Sequence, residues 1–136
     1  MEVITLISDK YIDSNSLKSI LDNELKIPLI GWIDNNGDTN PIDKKETFDS
    51  LYEQHISEKG FTLNLSHCSR EFYLILYYFK GFFEMSFNLS SLDDEQRPSI
   101  RNKIKDLFES KNFIFLVNDH KDFIDWIDEL ERVIQV

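Results

Sequence analysis

The segment covering residues 72–89 limits most narrowly what this chain can fold into. Two apolar runs, 72–79 and 82–89, flank Lys80-Gly81, and a glycine-containing pair between such runs reads as a tight β-hairpin. With those two residues at the centre of the turn, the register follows. Phe72, Leu74, Leu76 and Tyr78 share a face with Leu89, Phe87, Met85 and Phe83, which is apolar throughout and belongs to a core. The opposite face sets Tyr73, Ile75, Tyr77 and Phe79 across from Asn88, Ser86, Glu84 and Phe82, half of them aromatic and half polar. Two readings of this second face follow. A helix partly covers it, since tyrosine tolerates a wet edge; or it is a binding surface, where exposed tyrosines are over-represented. Cover by a helix is the simpler of the two.

The rest of the chain supplies elements to either side. Residues 3–7 are a strand rich in β-branched side chains. Asp13-Ser14-Asn15-Ser16 offers N-caps for a helix that carries Leu17, Ile20, Leu21 and Leu25 at helical spacing. Residues 27–33 read as a strand with Pro28 at its start or on an edge, closed by the turn Asp34-Asn35-Asn36-Gly37-Asp38. Asp43 and Glu46 have capping-box spacing ahead of a helix over about 44–58, with Phe48, Leu51, Tyr52 and Ile56 as its apolar stripe and Gly60 as its stop. Phe61, Leu63 and Leu65 alternate with Thr62 and Asn64, the pattern of a half-buried strand. Pro98 suits the first turn of a helix bearing Ile100, Ile104, Leu107 and Phe108. A buried strand over 113–117 follows, and a last helix from near Asp119 buries Phe123, Trp126, Ile127, Leu130 and Ile134. The expected order is β-α-β-α-β-β-β-α-β-α. This is an α+β fold in which a central antiparallel β-meander packs with about four helices, and residues 1–136 form a single globular domain.

A lone cysteine, Cys68, excludes an internal disulfide and a cysteine-rich zinc site. Met1-Glu2-Val3 leads into an apolar run without a basic leader, and the longest apolar stretch is too short to span a bilayer, so a cytoplasmic location is expected. The net charge is −10. Residues 1–68 hold 12 acids and 6 bases, and residues 69–136 hold 13 acids and 9 bases, so the charge belongs to the whole domain. Such a surface is repelled by phosphate backbones and anionic lipids and attracted to basic proteins, which predicts neither a nucleic-acid nor a membrane partner. Arg97, Arg101 and Lys105 recur at i, i+4, i+8, but three cations against that excess read as a solvated helix face.

Motifs that carry catalysis are missing from the sequence. His55, His67 and His120 are scattered without the spacing of a metal site, and His67 beside Cys68 reads as a loop histidine next to a small thiol. Asp34, Asn36, Asp38 and Asn40 alternate as in a calcium loop, but Thr39 and Lys45 stand where glycine and glutamate are needed. No phosphate cradle or hydrolase elbow occurs, and neither metal nor cofactor is expected. An enzyme is the alternative reading only if His67, His120 and a carboxylate converge in the fold; an adaptor or phage protein of unrelated role is a further one.

Acidic side chains concentrate in two places. Residues 119–131 hold six acids and one base, Lys121. Asp119 and Asp122 sit where a helix dipole favours them, whereas Asp125, Asp128, Glu129 and Glu131 gain little from it, and Asp125 and Glu129 repel at i, i+4. Asp93, Asp94 and Glu95 form the second cluster. A compact acidic α+β domain with such a helix and no catalytic or metal motif resembles the small cytoplasmic immunity proteins of bacterial contact-dependent and related toxin systems. That resemblance implies a cognate toxin bound one to one and held inactive in the cell that makes it, and the acidic surface suits a basic active site such as that of a nuclease toxin. The residues expected to meet it are Asp122, Asp125, Asp128, Glu129, Asp93, Asp94, Glu95, Tyr73 and Tyr77.

Overall fold

A computed structural model describes residues 2–34, 36–42, 45–56, 60–79 and 81–117. Within them the chain runs β1 (Val3–Ser8), α1 (Ser14–Ser19), β2 (Leu29–Ile33), β3 (Thr39–Pro41), α2 (Lys45–His55), β4 (Phe61–His67), β5 (Arg70–Phe79), β6 (Phe82–Asn88), α3 (Gln96–Glu109) and β7 (Ile114–Val117). The seven strands form one sheet in the order β3-β2-β4-β5-β6-β1-β7, and each neighbouring pair is antiparallel. The α+β class and the central antiparallel meander are therefore observed. Three α-helices are described; the fourth expected helix, from near Asp119, lies outside the described residues, as does the Asp43 half of the proposed capping box.

The β5–β6 hairpin has the register its alternation predicts, with Phe79 opposite Phe82 and Tyr73 opposite Asn88. Gly81 takes φ +82° in the turn, a conformation that L side chains rarely adopt. Phe72, Leu74, Leu76, Phe83, Met85, Phe87 and Leu89 are fully buried, and they join Ile4, Leu6, Phe61, Leu63 and Leu65 on one face of the sheet. The same cluster takes Leu17, Ile20 and Leu21 from the first helical segment, Phe48 and Tyr52 from α2, and Ile100, Ile104 and Phe108 from α3. All three described helices thus pack against one face, so the described residues form a sheet layer and a helix layer.

Local chemistry shapes the elements around this core. Asp13 caps α1 by accepting the Ser16 N–H at 2.7 Å. The helix then widens into a π-turn over Ile20–Glu24, where the Leu25 N–H reaches Ile20 O, and this turn keeps Leu21, Leu25 and Ile27 buried together. The expected second strand is followed by one the sequence pattern did not reveal. Asp34 accepts the N–H groups of Asn36 and Asp38 and the Asn40 side-chain amide, and this turn folds β3 back on β2. Those bonds, the Asn40 amide first, hold the Asp34 carboxyl below the usual carboxylate range. Gly31 is required by close approach, since a Cβ there would lie 2.6 Å from the Asn40 carbonyl oxygen.

The i, i+4 arginines on α3 are not a solvated stripe. Arg101 meets the Glu2 carboxylate at 2.5 Å, Arg97 lies 3.4 Å from the same group, and Arg97 also pairs with Asp94. Glu2 is an early acid that the fold carries to the far end of the chain's sequence. The two arginines clamp α3 to the start of β1.

Candidate protein-binding face

Residues paired across an antiparallel sheet project to the same side, so the registers define the face turned away from the three described helices. One row crosses it as Pro41, Gly31, Asn64, Tyr73, Asn88 and Val3. The next runs Thr39, Ile33, Thr62, Ile75, Ser86 and Thr5, and a third runs Tyr77, Glu84, Ile7 and Ile114. Glu71, opposite Ser66, adds a carboxylate at one end. None of the described strand residues on this face is Lys, Arg or His.

Exposure on this face is uneven. Tyr73, Ile75 and Ile114 are 41, 44 and 43% exposed, whereas Thr5, Ile7 and Phe82 are buried although they stand apart from the main core face. Cover of this face is thus partial: Tyr73 and Ile75 are open, and the helix expected from near Asp119 lies outside the described residues. Tyr77 is half-buried. Glu84 lies at the boundary, paired with Tyr77 on one side and Ile7 on the other. Burial among these neighbours pushes its carboxyl up to about 7, against the opposing pull of a hydrogen bond from Ser86.

Asn64, read from the alternation as the wet side of a half-buried strand, is only 2% exposed. Its Nδ2 donates to Glu71 Oε2 at 3.4 Å, while its Oδ1 has no hydrogen-bond partner among the described residues. A buried carbonyl without a donor forfeits roughly 1–3 kcal/mol of desolvation, so such an atom is uncommon in a settled core.

Of the anticipated contact residues, Asp93, Asp94 and Glu95 are exposed and lie at the Glu71 end of the sheet. Arg70, which begins β5, pairs with Asp93 at 2.8 Å, and the Ser91 hydroxyl donates to the Glu71 carbonyl. Tyr73 therefore shares one end of the sheet with this acidic rim. Asp93 and Asp94 are engaged with Arg70 and Arg97, and Asp94 keeps most of its side chain in solvent. Asp122, Asp125, Asp128 and Glu129 lie outside the described residues. Sequence reasoning missed Glu71 and Asn64. Their signal was the pair Cys68-Ser69, a two-residue turn with φ of +50° and +66° that fixes Asn64 opposite Tyr73. Without a glycine, that turn carries little sequence signature.

The groups considered for catalysis stand apart. His67 Nε2 lies 3.5 Å from Cys68 Sγ at an exposed turn. An open depression of about 260 Å³ is lined elsewhere by Lys10, Tyr11, Asp13, Ile20, Lys111 and Phe113 among others. Neither His67 nor the perturbed Glu84 lines it, and Asp13 there is the α1 cap. His120 lies outside the described residues. Among the described residues no group of three or more His, Cys, Asp or Glu is arranged to hold a metal, and no helix is long and apolar enough to cross a membrane. Comparison with protein-family models, curated proteins and solved structures finds no significant match.

Proposed function

We propose that this protein binds a basic protein partner through the open half of its outer sheet face and the adjoining acidic rim, acting as an immunity protein that covers a basic, nuclease-type toxin. The observation that carries this reading is the exposure of Tyr73 and Ile75 between Glu71 and Glu84 on a face without a described cation. Exposed aromatic and aliphatic anchors supply contact area on a rigid sheet, and the surrounding carboxylates select a positive partner and speed its encounter. Net charge of −10 extends that attraction over the whole domain. The complex is stoichiometric, and the protein's role is occlusion, not turnover.

Affinity capture from lysate of the producing organism, at low and then physiological salt, tests the reading. A single basic partner is expected to remain at physiological salt, to lose its activity at one equivalent of this protein, and to be released by the double variant Tyr73→Ser/Ile75→Ser. Capture of abundant basic proteins alone, all removed by salt, would overturn it. Neutralising Asp125, Asp128 and Glu129 together is expected to weaken the captured complex while leaving the fold intact; unchanged affinity removes that segment from the interface.

A further inference from the structure

We propose that the depression at the end of the sheet where β1 leaves and β7 enters is a second binding site, for a small zwitterion with an apolar side chain. A free apolar α-amino acid is the class of ligand it fits. Three segments far apart in the sequence build it. Ile7 and Ile114 are paired across β1 and β7, so the chain leaving one strand and the chain entering the other run side by side. The first brings Lys10, Tyr11 and Asp13, the second brings Lys111 and Phe113, and α1 with the π-turn after it adds Ile20. The space between them is about 260 Å³ and open to solvent. Sites for drug-sized ligands begin at roughly 300 Å³, so this one suits a ligand with a single ring or a short branched chain.

The lining has an apolar floor and a charged rim. Ile20 and Phe113 are buried and belong to the main core, which fixes the floor. The Tyr11 ring meets Tyr78 edge-on with centroids 4.9 Å apart, and its hydroxyl donates to Glu53, so the ring is held as a wall. The charged groups are within reach of solvent: Lys10 and Asp13 are exposed, and the Lys111 side chain is 36% exposed. Lys111 Nζ lies 3.8 Å from Glu24, longer than a hydrogen bond, and the ammonium keeps donors for a second acceptor. Asp13 accepts the Ser16 N–H through Oδ1, which leaves a carboxylate with further lone pairs for an incoming donor.

Charge decides among the occupants. Lysines from two loops favour a carboxylate and Asp13 favours an ammonium, and an α-amino acid carries both on one carbon. A purely anionic ligand meets Asp13 at the site and a domain of net charge −10 around it, whereas a purely cationic one meets the two lysines. A zwitterion has no net charge, so the field of the whole domain neither draws nor repels it. Its side chain, laid on Ile20 and Phe113, displaces water from the apolar floor.

The test is a titration of the full ¹⁵N-labelled chain with L-phenylalanine. L-Phenylalaninamide, which lacks the carboxylate, and N-acetyl-L-phenylalanine, which lacks the ammonium, are run in parallel. L-Phenylalanine is expected to give saturable shifts of the Tyr11, Ser16, Lys111 and Phe113 amides, and each derivative to bind at least about threefold more weakly. Lys111→Met keeps the apolar stem and is expected to weaken the amino acid roughly threefold, the worth of one solvent-screened charge pair. Asp13→Asn still caps α1, because asparagine serves as an N-cap as well as aspartate does. It is expected to remove the preference for the free amine over its N-acetyl form while leaving the rest of the spectrum unchanged. No saturable shift at those four amides, equal affinity for the three compounds, or unchanged affinity in both variants would each overturn the site. The probe needs no protein partner, so its outcome bears on this depression alone, whatever the capture experiment returns.

Discussion

The two faces of the sheet are made from the same strands by alternation, yet they answer to different demands. On the helix-covered face, Phe61, Phe72, Phe83 and Phe87 are all at or below 1% exposure, and aromatic neighbours such as Phe87 and Phe108 meet with ring centroids 6.3 Å apart. On the other, Tyr73 and Ile75 stay open, a carboxylate sits half-buried at Glu84, and the Asn64 carbonyl has no donor among the described residues. A face selected only for stability would replace the last two by apolar residues. Among the described residues, both lie on the side of the sheet turned away from the described helices, so the two sides differ in what their polar groups cost.

That contrast can be broken or sharpened by four substitutions, beginning with the most damaging. Phe87→Ala is expected to lower unfolding free energy by about 3–5 kcal/mol in urea titrations, because the fixed helices cannot collapse into the space left behind. A loss below about 1 kcal/mol would mean that the helical face is loosely packed, and the contrast would dissolve.

Glu84→Gln probes the boundary of the open half. The Glu84 carboxyl is raised from its ordinary range near 4.5 to about 7, so the folded protein holds this proton after the unfolded chain has lost it. Stability associated with this group is therefore full below pH about 4.5 and is lost as pH rises to about 7. The whole window is worth about 3 kcal/mol at most. The glutamine variant should show a flatter stability profile between those limits and exceed the parent above pH 7. Parallel profiles for the two proteins would show that Glu84 titrates as a solvated acid.

Asn64→Val removes the orphan carbonyl and suits a strand, and thermal unfolding is expected to show a gain of about 1 kcal/mol. A loss of similar size would instead make Asn64 a structural residue through its bond to Glu71. The gentlest change, Ile75→Thr, is expected to alter stability by no more than about 0.5 kcal/mol, since the side chain is exposed and threonine keeps the β-branch. A larger loss would place Ile75 within a packed surface.

Much of this architecture was legible before any coordinates. Strict alternation in 72–79 and 82–89 defined the central hairpin down to its register, because a period of two leaves only one assignment of core and outer positions once the turn is placed. The stripe Ile100, Ile104 and Phe108 and the caps around Asp13 are local patterns, and local patterns are readable from spacing. Strand β3 was not, since Thr39-Asn40-Pro41 has no apolar signature and exists because the Asp34 turn delivers it to β2. The arginine clamp on Glu2 was equally hidden, as its partners are about a hundred residues apart in the chain.

The candidate site divides in the same way. By itself the sequence determined that the protein is acidic, that it folds around an antiparallel meander, and that Tyr73 and Tyr77 share a face of mixed character. Only the tertiary structure decided that Tyr73 is open while Tyr77 is half-buried, that Asp93 answers Arg70, and that Asn64 and Glu71 stand beside Tyr73. The physical reason is range. Alternation and helical spacing are set by neighbours a few residues away, whereas exposure, ion pairing and the lack of a hydrogen-bond donor depend on which distant strands the sheet brings alongside.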